Sequence, residues 1–298
     1  MTRINLCIPT VRAAWHCARH LIDNAMQLAA DNRRVRIIVS SHDPLDQWMG
    51  EQVIVPRSPA TVSWHNSANH AKAINALAAK SLALGADIHM VMDHDMAFLQ
   101  RGWDDAIVRV LEDHDLAGAT YQAAPMMPLI KYAQWMQAAP CAKYQDLPNV
   151  SCLALTNDCL LGPFASVLTR FDQFIVEQHG FPFTLVNTQA MADTVRLPVT
   201  TIWWMDTGCE IPGIIARDNL RYALFRHVPF AEQHVIERAD LLEERWTVQP
   251  EIFADPAGEP FIAHFKKAHG KTSGKVKSDY SWEEFTGHVN QWIKKGQP

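Results

Sequence analysis

The 298-residue sequence lacks the features that mark membrane, secreted and repeat proteins. It contains no apolar run near the roughly 18 residues that span a bilayer. The opening stretch, MTRINLCIPTVRAAW, has neither the apolar core nor the small-residue cleavage site of a signal peptide. No internal repeat or low-complexity segment is present, and 48% hydrophobic with 20% charged residues is ordinary for a globular chain. We therefore expect a cytoplasmic protein without a membrane span.

Several enzyme motifs are absent as well. The six cysteines form no C-x-x-C pair, which argues against a zinc ribbon or a disulfide scaffold and favours buried free thiols. The P-loop, Rossmann-cofactor and serine-hydrolase motifs do not occur, so those three classes have no support. The net charge of −5 argues against a surface that binds polyanions throughout, although residues 264–277 hold five lysines and no acid.

Apolar runs alternate with helical periodicity in the first part of the chain. Strands are predicted over 4–10, 35–43 and 88–92, and helices over 13–30 and 69–87. This order predicts an α/β fold with a Rossmann-related, mostly parallel sheet flanked by helices. In such sheets, ligands bind beyond the carboxyl ends of the strands.

The tripeptide Asp-His-Asp occurs twice, at 93–95 and at 113–115. The first copy directly follows the predicted strand 88–92, which places it at the carboxyl rim of the sheet. The second copy lies between a periodic segment at 103–112 and an apolar run at 116–121, in a helix-to-strand connection at the opposite end. We therefore predict that the first copy is a site and that the second is a solvated turn.

Asp93 and Asp95 are spaced so that both carboxylates can reach one cation. Residues i and i+2 of an extended strand end share a face. Two carboxylates, completed by phosphate oxygens and waters, suit Mg²⁺ or Mn²⁺. The pair predicts a divalent cation that neutralises a diphosphate leaving group; the competing interpretation is a pair of solvated acids.

The opening strand with IPT, the acid-tipped VSSHD and the helix that leads into MVMDHDM resemble the nucleotide-binding half of GT-A-fold glycosyltransferases, most nearly the family 2-like group. The resemblance covers residues 4–105 and the later half only loosely. It implies a nucleoside-diphosphate sugar as donor, with Mn²⁺ or Mg²⁺ on its diphosphate. It divides the chain into a nucleotide-sugar-binding half (1–121), an acceptor-binding and catalytic half of the same domain (122–265), and a basic flexible lid with a C-terminal helix (266–298).

The resemblance also implies contacts along the predicted rim. Pro9 and Thr10 would line the nucleotide cradle, and Asp43 would contact the base or the ribose. Asp93 would contact the ribose or the metal, and Asp95 would be the main metal ligand. The competing interpretations are a simple strand exit for Pro9-Thr10 and a turn cap before a proline for Asp43.

Three further residues are candidates for donor contacts. Arg12 is placed to touch a phosphate, although a surface position at a helix start is the alternative. The arginine-asparagine pair of the family's second helix is missing, and Lys72 and Asn75 occupy its neighbourhood. Lys72 is therefore either a phosphate contact or a solvated helix residue. His94, between the two aspartates, is the third candidate.

The stretch WWMDTGCEIPG, at 203–213, begins in a predicted strand over 200–205, and Asp206 directly follows that strand. In the resembling family an acid in this region faces the acceptor and acts as a base, which implies that role for Asp206. Neighbouring tryptophans would raise its pKa, and Trp204 would offer a stacking face to a sugar. Glu210 is a second acceptor-side candidate. The competing interpretation is a core Trp-Trp pair followed by a helix cap and a tight turn.

The stretch AHFKKAHGKTSGK, at 263–275, begins in the predicted strand 261–265, which His264 closes. GT-A enzymes often supply a late histidine to the metal, and the resemblance implies that role for His264. Lysines beyond it, Lys271 among them, would close over the diphosphate as a lid. An exposed basic tail and a nucleic-acid contact are the alternatives.

These features together predict a metal-dependent glycosyltransferase that moves a sugar to a hydroxyl acceptor, with Asp206 as the base if the reaction inverts configuration. The sequence is compatible with four classes of acceptor: a small molecule, a glycan, a protein and modified DNA. It does not predict the oligomeric state. A nucleotidyltransferase of similar fold is one alternative. A GT-A-like protein that binds nucleotide or glycan without turnover is another.

Overall fold

The computed structural model describes residues 1–45, 47–56, 65–120, 147–164, 211–228, 251–265 and 281–295. The strands within these residues are β1 (Ile4–Pro9), β2 (Val35–Ser41), β3 (Glu51–Ile54), β4 (Ile88–Met92), β5 (Met96–Phe98), β6 (Leu116–Thr120), β7 (Pro148–Thr156), β8 (Tyr222–His227), β9 (Glu251–Ala254) and β10 (Pro260–His264). The helices are α1 (Trp15–Leu28), α2 (His65–Leu84), α3 (Trp103–Glu112), α4 (Asn157–Leu161), α5 (Ile211–Asp218) and α6 (Trp282–Lys295). Among the helices described, none combines the length and apolar character that crossing a membrane requires.

The strands form a single sheet in the order β3-β2-β1-β4-β7-β6-β8-β9-β10-β5. The first four strands in this order are parallel, and β8 is parallel to β6. The remaining pairs are antiparallel, including both partners of β7 and both partners of β10. The predicted α/β class is therefore confirmed, with four parallel strands at one edge of the sheet and a mixed part beyond β4.

Alternation along β1 explains how the sheet is covered on both faces. Leu6 and Ile8 point to the face covered by α1 and α3, whereas Cys7 points to the face covered by α2, α4 and α5. All three side chains are fully buried, because a strand between two helical layers has no solvent face. This is why the run INLCIP is continuously apolar apart from Asn5, whose amide donates to Ser81.

The element bounds differ modestly from those that the sequence predicted. The helix predicted over 13–30 begins at Trp15, after a short 3-10 turn, and the one predicted over 69–87 begins four residues earlier, at His65. Gly85, with a φ of 67°, follows α2 and ends the helix in the left-handed conformation that glycine favours. The strands β3, β5, β8 and β9 were not predicted.

Helix α6 begins with a capping box. The backbone N–H of Glu284 donates to the Ser281 hydroxyl at 3.1 Å, and the N–H of Ser281 donates to the Glu284 carboxylate at 2.6 Å. Phe285 and Val289 of the helix are buried in a cluster with residues of β5, β9 and β10. This helix therefore packs against β5, β9 and β10, the last of which carries His264.

Asp104, in the first turn of α3, fixes the connection between α1 and β2. Its buried carboxylate accepts the N–H groups of Ala30 at 2.6 Å and Asp31 at 3.1 Å, and also accepts from Arg34 Nε at 2.7 Å. Burial alone would raise the pKa of Asp104, but these donors and the charge of Arg34 outweigh burial and lower the pKa. The same guanidinium also pairs with the half-exposed Asp105.

Four of the six cysteines lie in the described part of the chain, and all four are buried and free, as predicted: Cys7, Cys17, Cys152 and Cys159.

Candidate metal and nucleotide site

The two Asp-His-Asp copies lie at opposite ends of the sheet, as the sequence predicted. The first copy follows β4 at its carboxyl end, and the second lies between α3 and β6 at the amino end. Asp115 of the second copy accepts the backbone N–H of Arg221 at 2.8 Å, so it joins two strand starts rather than being only a solvated turn. Asp113 is exposed.

The first copy forms a tight link between β4 and β5. The N–H of Asp93 donates to the carbonyl of Ser151 on β7 at 2.8 Å, and the N–H of Met96 donates to the carbonyl of Asp93 at 3.2 Å. The chain then enters β5, which is buried throughout. Both carboxylates are therefore placed by backbone hydrogen bonds on either side of the turn.

Strand β10 brings His264 to this turn. It runs antiparallel to β5, with His264 opposite Met96, and the N–H of Phe265 donates to the carbonyl of Asp95 at 2.8 Å. One ligand atom from each of Asp93, Asp95 and His264 lies within 4.8 Å of the others. Two carboxylate oxygens and an imidazole nitrogen at this spacing form a donor set that fits a divalent cation.

His264 lies between two carboxylates. Its Nε2 is 3.4 Å from Asp95 Oδ1, and its Nδ1 is 2.8 Å from Glu251 Oε2. Burial disfavours the charged imidazolium, but the charges and hydrogen bonds of Asp95 and Glu251 outweigh it and raise the pKa of His264 to about 10. Burial would likewise raise the pKa of Asp95, yet the charge of His264 outweighs burial and the pKa of Asp95 is lowered.

Helix α2 reaches the same site from the other side. His70 Nε2 is 2.9 Å from Asp93 Oδ1, and both side chains are partly exposed. The helix leads into β4, so its amino-terminal half lies at the carboxyl rim of the sheet. His70 therefore contacts the candidate ligand Asp93 without being one of the three candidate ligands itself.

The rim residues of β1 lie beside the first copy. The carbonyl of Pro9, the last residue of β1, accepts from His94 Nδ1 at 3.0 Å. Thr10 is buried and its N–H donates to the carbonyl of Ser40 on β2 at 2.9 Å. Arg12 is exposed in the 3-10 turn before α1. The structure thus brings Pro9 and His94 together, whereas their contact with a donor stays a prediction.

Asp43 and Lys72 are both half-buried. The carbonyl of Asp43 accepts from the hydroxyl of Ser41 and, at 3.1 Å, from the amide of Gln52 on β3. These contacts hold the chain just past the end of β2, at the carboxyl rim of the sheet. Lys72 follows His70 by two residues in α2. A role for either side chain in donor binding stays a prediction.

Four candidates lie outside the described residues: Trp204, Asp206, Glu210 and Lys271.

Sequence reasoning missed Glu251 and His70. Glu251 could have been found from a hairpin pattern, because the turn residues DPAG at 255–258 separate two apolar runs. In that hairpin Glu251 is the cross-strand partner of His264. His70 had a weaker signal, its place in the helix that precedes the strand of the first copy.

No protein-family model matches the sequence, and no curated protein does. The fold does resemble solved structures. One is S. aureus TarS 1-349, with a TM-score of 0.31 and 9% identity over 41% of this chain and 36% of that one. A mannosyltransferase from Pyrobaculum calidifontis in complex with GDP-Man and Mn²⁺ has a TM-score of 0.36 and 12% identity over 72% of this chain and 69% of that one.

A third is glucosyl-3-phosphoglycerate synthase from Mycobacterium tuberculosis in complex with Mn²⁺, UDP-Glc and phosphoglyceric acid. Its TM-score is 0.37, with 15% identity over 53% of this chain and 58% of that one. This chain therefore spans about a third of the TarS structure and less than two thirds of the synthase.

Proposed function

We propose that this protein is a metal-dependent glycosyltransferase that uses a nucleoside-diphosphate sugar as donor. The observation that supports the proposal most directly is the convergence of Asp93, Asp95 and His264 within 4.8 Å, at the rim formed by the carboxyl ends of the parallel strands. That rim is the general position for nucleotide ligands in such sheets. A carboxylate pair at that position suits a cation that carries a diphosphate.

In this proposal Asp93, Asp95 and His264 hold the cation. Bound Mn²⁺ or Mg²⁺ supplies Lewis-acid stabilisation of the departing nucleoside diphosphate. His70 and Glu251 orient the ligands by hydrogen bonds to Asp93 and His264. The buried, mutually bonded ends of β1 and β2, with Thr10 bonded to Ser40, form the floor on which the nucleoside lies.

The acceptor side of the proposal depends on residues predicted from sequence. Asp206 removes the proton of the acceptor hydroxyl as that oxygen attacks the anomeric carbon and the bond from that carbon to the diphosphate breaks. Trp204 and Glu210 contact the acceptor. Lys271 contacts the diphosphate as part of a basic lid, and Arg12, Asp43, Lys72 and His94 contact the donor.

A panel of nucleotide sugars tests the proposal. The purified chain is incubated with each sugar nucleotide and Mn²⁺ or Mg²⁺, and release of nucleoside diphosphate is followed with a coupled assay. We expect release with at least one donor, and its loss when EDTA removes the cation. Release of pyrophosphate from a nucleoside triphosphate and a sugar phosphate would instead identify a nucleotidyltransferase. Cation-dependent binding of a nucleotide sugar without release, in the presence of acceptor pools, would identify a binding protein.

A further inference from the structure

We infer that Glu251 is a positioning residue that selects the ring nitrogen of His264 facing the cation and thereby gives the site a nitrogen ligand. The inference rests on the proposed function, because it requires a cation at Asp93 and Asp95. It adds a specificity determinant to that site, one that lies outside the set of ligand atoms.

The contact between Glu251 and His264 follows from strand register. Glu251 opens β9, His264 closes β10, and the two are directly paired across the antiparallel hairpin. Glu251 Oε2 lies 2.8 Å from His264 Nδ1, and the carboxylate side chain is 4% exposed while that of His264 is 12% exposed. A buried pair of this kind has little freedom to rearrange, since each side chain is held by its own strand.

The chemistry of the two groups fixes the arrangement of the ring. An ionised carboxylate can only accept a hydrogen bond, so Nδ1 must carry the proton. The other nitrogen, Nε2, lies on the side of Asp95, 3.4 Å from its Oδ1. Nε2 is therefore the nitrogen that would lose its proton and bind a cation held by Asp93 and Asp95, and the hydrogen bond to Glu251 keeps the ring in that orientation.

A nitrogen ligand changes which ions the site prefers. Mg²⁺ sites in proteins are built almost wholly from oxygen, whereas an imidazole nitrogen suits divalent transition-metal ions. Asp93 and Asp95 alone would offer only oxygen. Glu251 thus acts on ion choice through His264, and its removal is expected to shift the site toward oxygen-only coordination.

Pulsed EPR of Mn²⁺ bound to the full chain tests this directly, because a bound imidazole nitrogen gives a resolvable coupling to the electron spin. The variants are Glu251→Leu, which keeps the volume and removes the acceptor, and Glu251→Gln, which keeps an acceptor oxygen. We expect the nitrogen coupling in the unmodified protein and in Glu251→Gln, and its loss in Glu251→Leu and His264→Ala. An unchanged coupling in Glu251→Leu would overturn the inference.

A double-mutant cycle separates positioning from a merely structural effect. Mn²⁺ dissociation constants are measured for the unmodified protein, Glu251→Leu, His264→Ala and the double variant, with folding of each checked by circular dichroism. We expect Glu251→Leu to weaken Mn²⁺ binding about tenfold when His264 is present. In the His264→Ala background we expect the same substitution to change binding less than about twofold. Equal effects in both backgrounds would overturn the inference.

The proposed function and the inference fail differently in these experiments. If the unmodified protein binds no Mn²⁺, the cation site itself is wrong and the inference falls with it. If it binds Mn²⁺ through nitrogen and Glu251→Leu behaves in the same way, only the role of Glu251 is wrong. Should Glu251→Leu fail to fold, Glu251→Ala is measured in its place and judged by the same two outcomes.

Discussion

His70 Nε2 lies 2.9 Å from Asp93 Oδ1, so the first acid of the candidate cation site is held by α2 as well as by its own strand. A second candidate ligand has a similar partner: Glu251 Oε2 lies 2.8 Å from His264 Nδ1. Two of the three candidate ligands therefore each have a hydrogen-bonding partner on a separate element. Such partners orient ligands and contribute measurably to metal affinity.

Replacing His70 by alanine is expected to weaken Mn²⁺ binding about tenfold, because Asp93 loses the hydrogen bond that orients it. The measurement is an EPR titration of free Mn²⁺. His114→Ala is the matched control, since His114 bonds to the carbonyl of Val110 at the other end of the sheet. Equal affinities for the His70 variant and the unmodified protein would remove His70 from the site.

The two Asp-His-Asp copies provide their own control. Asp95→Asn is expected to abolish cation-dependent binding of the donor, because the second carboxylate is lost from the ligand set. Asp113→Asn is expected to leave binding intact, because Asp113 is exposed in the helix-to-strand connection. Thermal shift with the active nucleotide sugar and Mn²⁺ measures both, and similar losses in the two variants would contradict the assignment.

Asp104 is expected to make the free energy of unfolding depend on pH. Its pKa is lowered in the folded state, so its stabilising contribution is full above the unfolded value of about 4 and is lost as pH falls through the lower folded value. Asp104→Asn should cost about 3 kcal/mol at pH 7, because Arg34 loses its buried partner. Urea unfolding at several pH values would show the difference from the unmodified protein shrinking below about pH 4.

Asp105→Asn is the control for that experiment. Asp105 also pairs with Arg34, but its side chain is 48% exposed. We therefore expect a change within about 1 kcal/mol at every pH. A pH-independent difference for Asp104→Asn would show that its contribution is not electrostatic.

Asp206→Asn is expected to lower kcat by about 10²- to 10⁴-fold while donor affinity is unchanged, because a general base acts on the acceptor rather than on the nucleotide. Steady-state kinetics with the active donor and acceptor, together with donor titration, measure the two quantities separately. Glu210→Gln is the comparison, with a smaller effect on kcat. A parallel loss of donor affinity in Asp206→Asn would place this residue on the donor side.

The elements that could be predicted from sequence are those with a strong local pattern. β1 and β4 are buried on both faces, so their sequences are nearly continuous apolar runs. Once the end of β4 is predicted, the position of Asp93 and Asp95 at the rim follows from it. β3 and β5 have four and three residues, too few for a period to be recognised. β5 is a strand because β10 pairs with it, a long-range contact that local pattern does not reveal.

The same reason explains which parts of the site were predicted. Asp93 and Asp95 follow from one strand and the rule that ligands bind at carboxyl ends. His264 was implied by family resemblance, and the structure places it beside Asp95. Glu251 reaches the site through the register of a hairpin, and His70 reaches it through the packing of a helix. Both are long-range contacts, so the residues next to Glu251 and His70 in sequence do not predict them.

The β9–β10 hairpin has a consequence for how the molecule opens. The hairpin brings the candidate ligand His264 to Asp93 and Asp95, which lie far earlier in the chain. An ion bound by all three would tie the two parts together, and the hairpin could then separate from β5 only after the ion dissociates. Raising the ion concentration would then slow amide hydrogen exchange in β9 and β10, while β1 and β4 in the sheet interior would respond little.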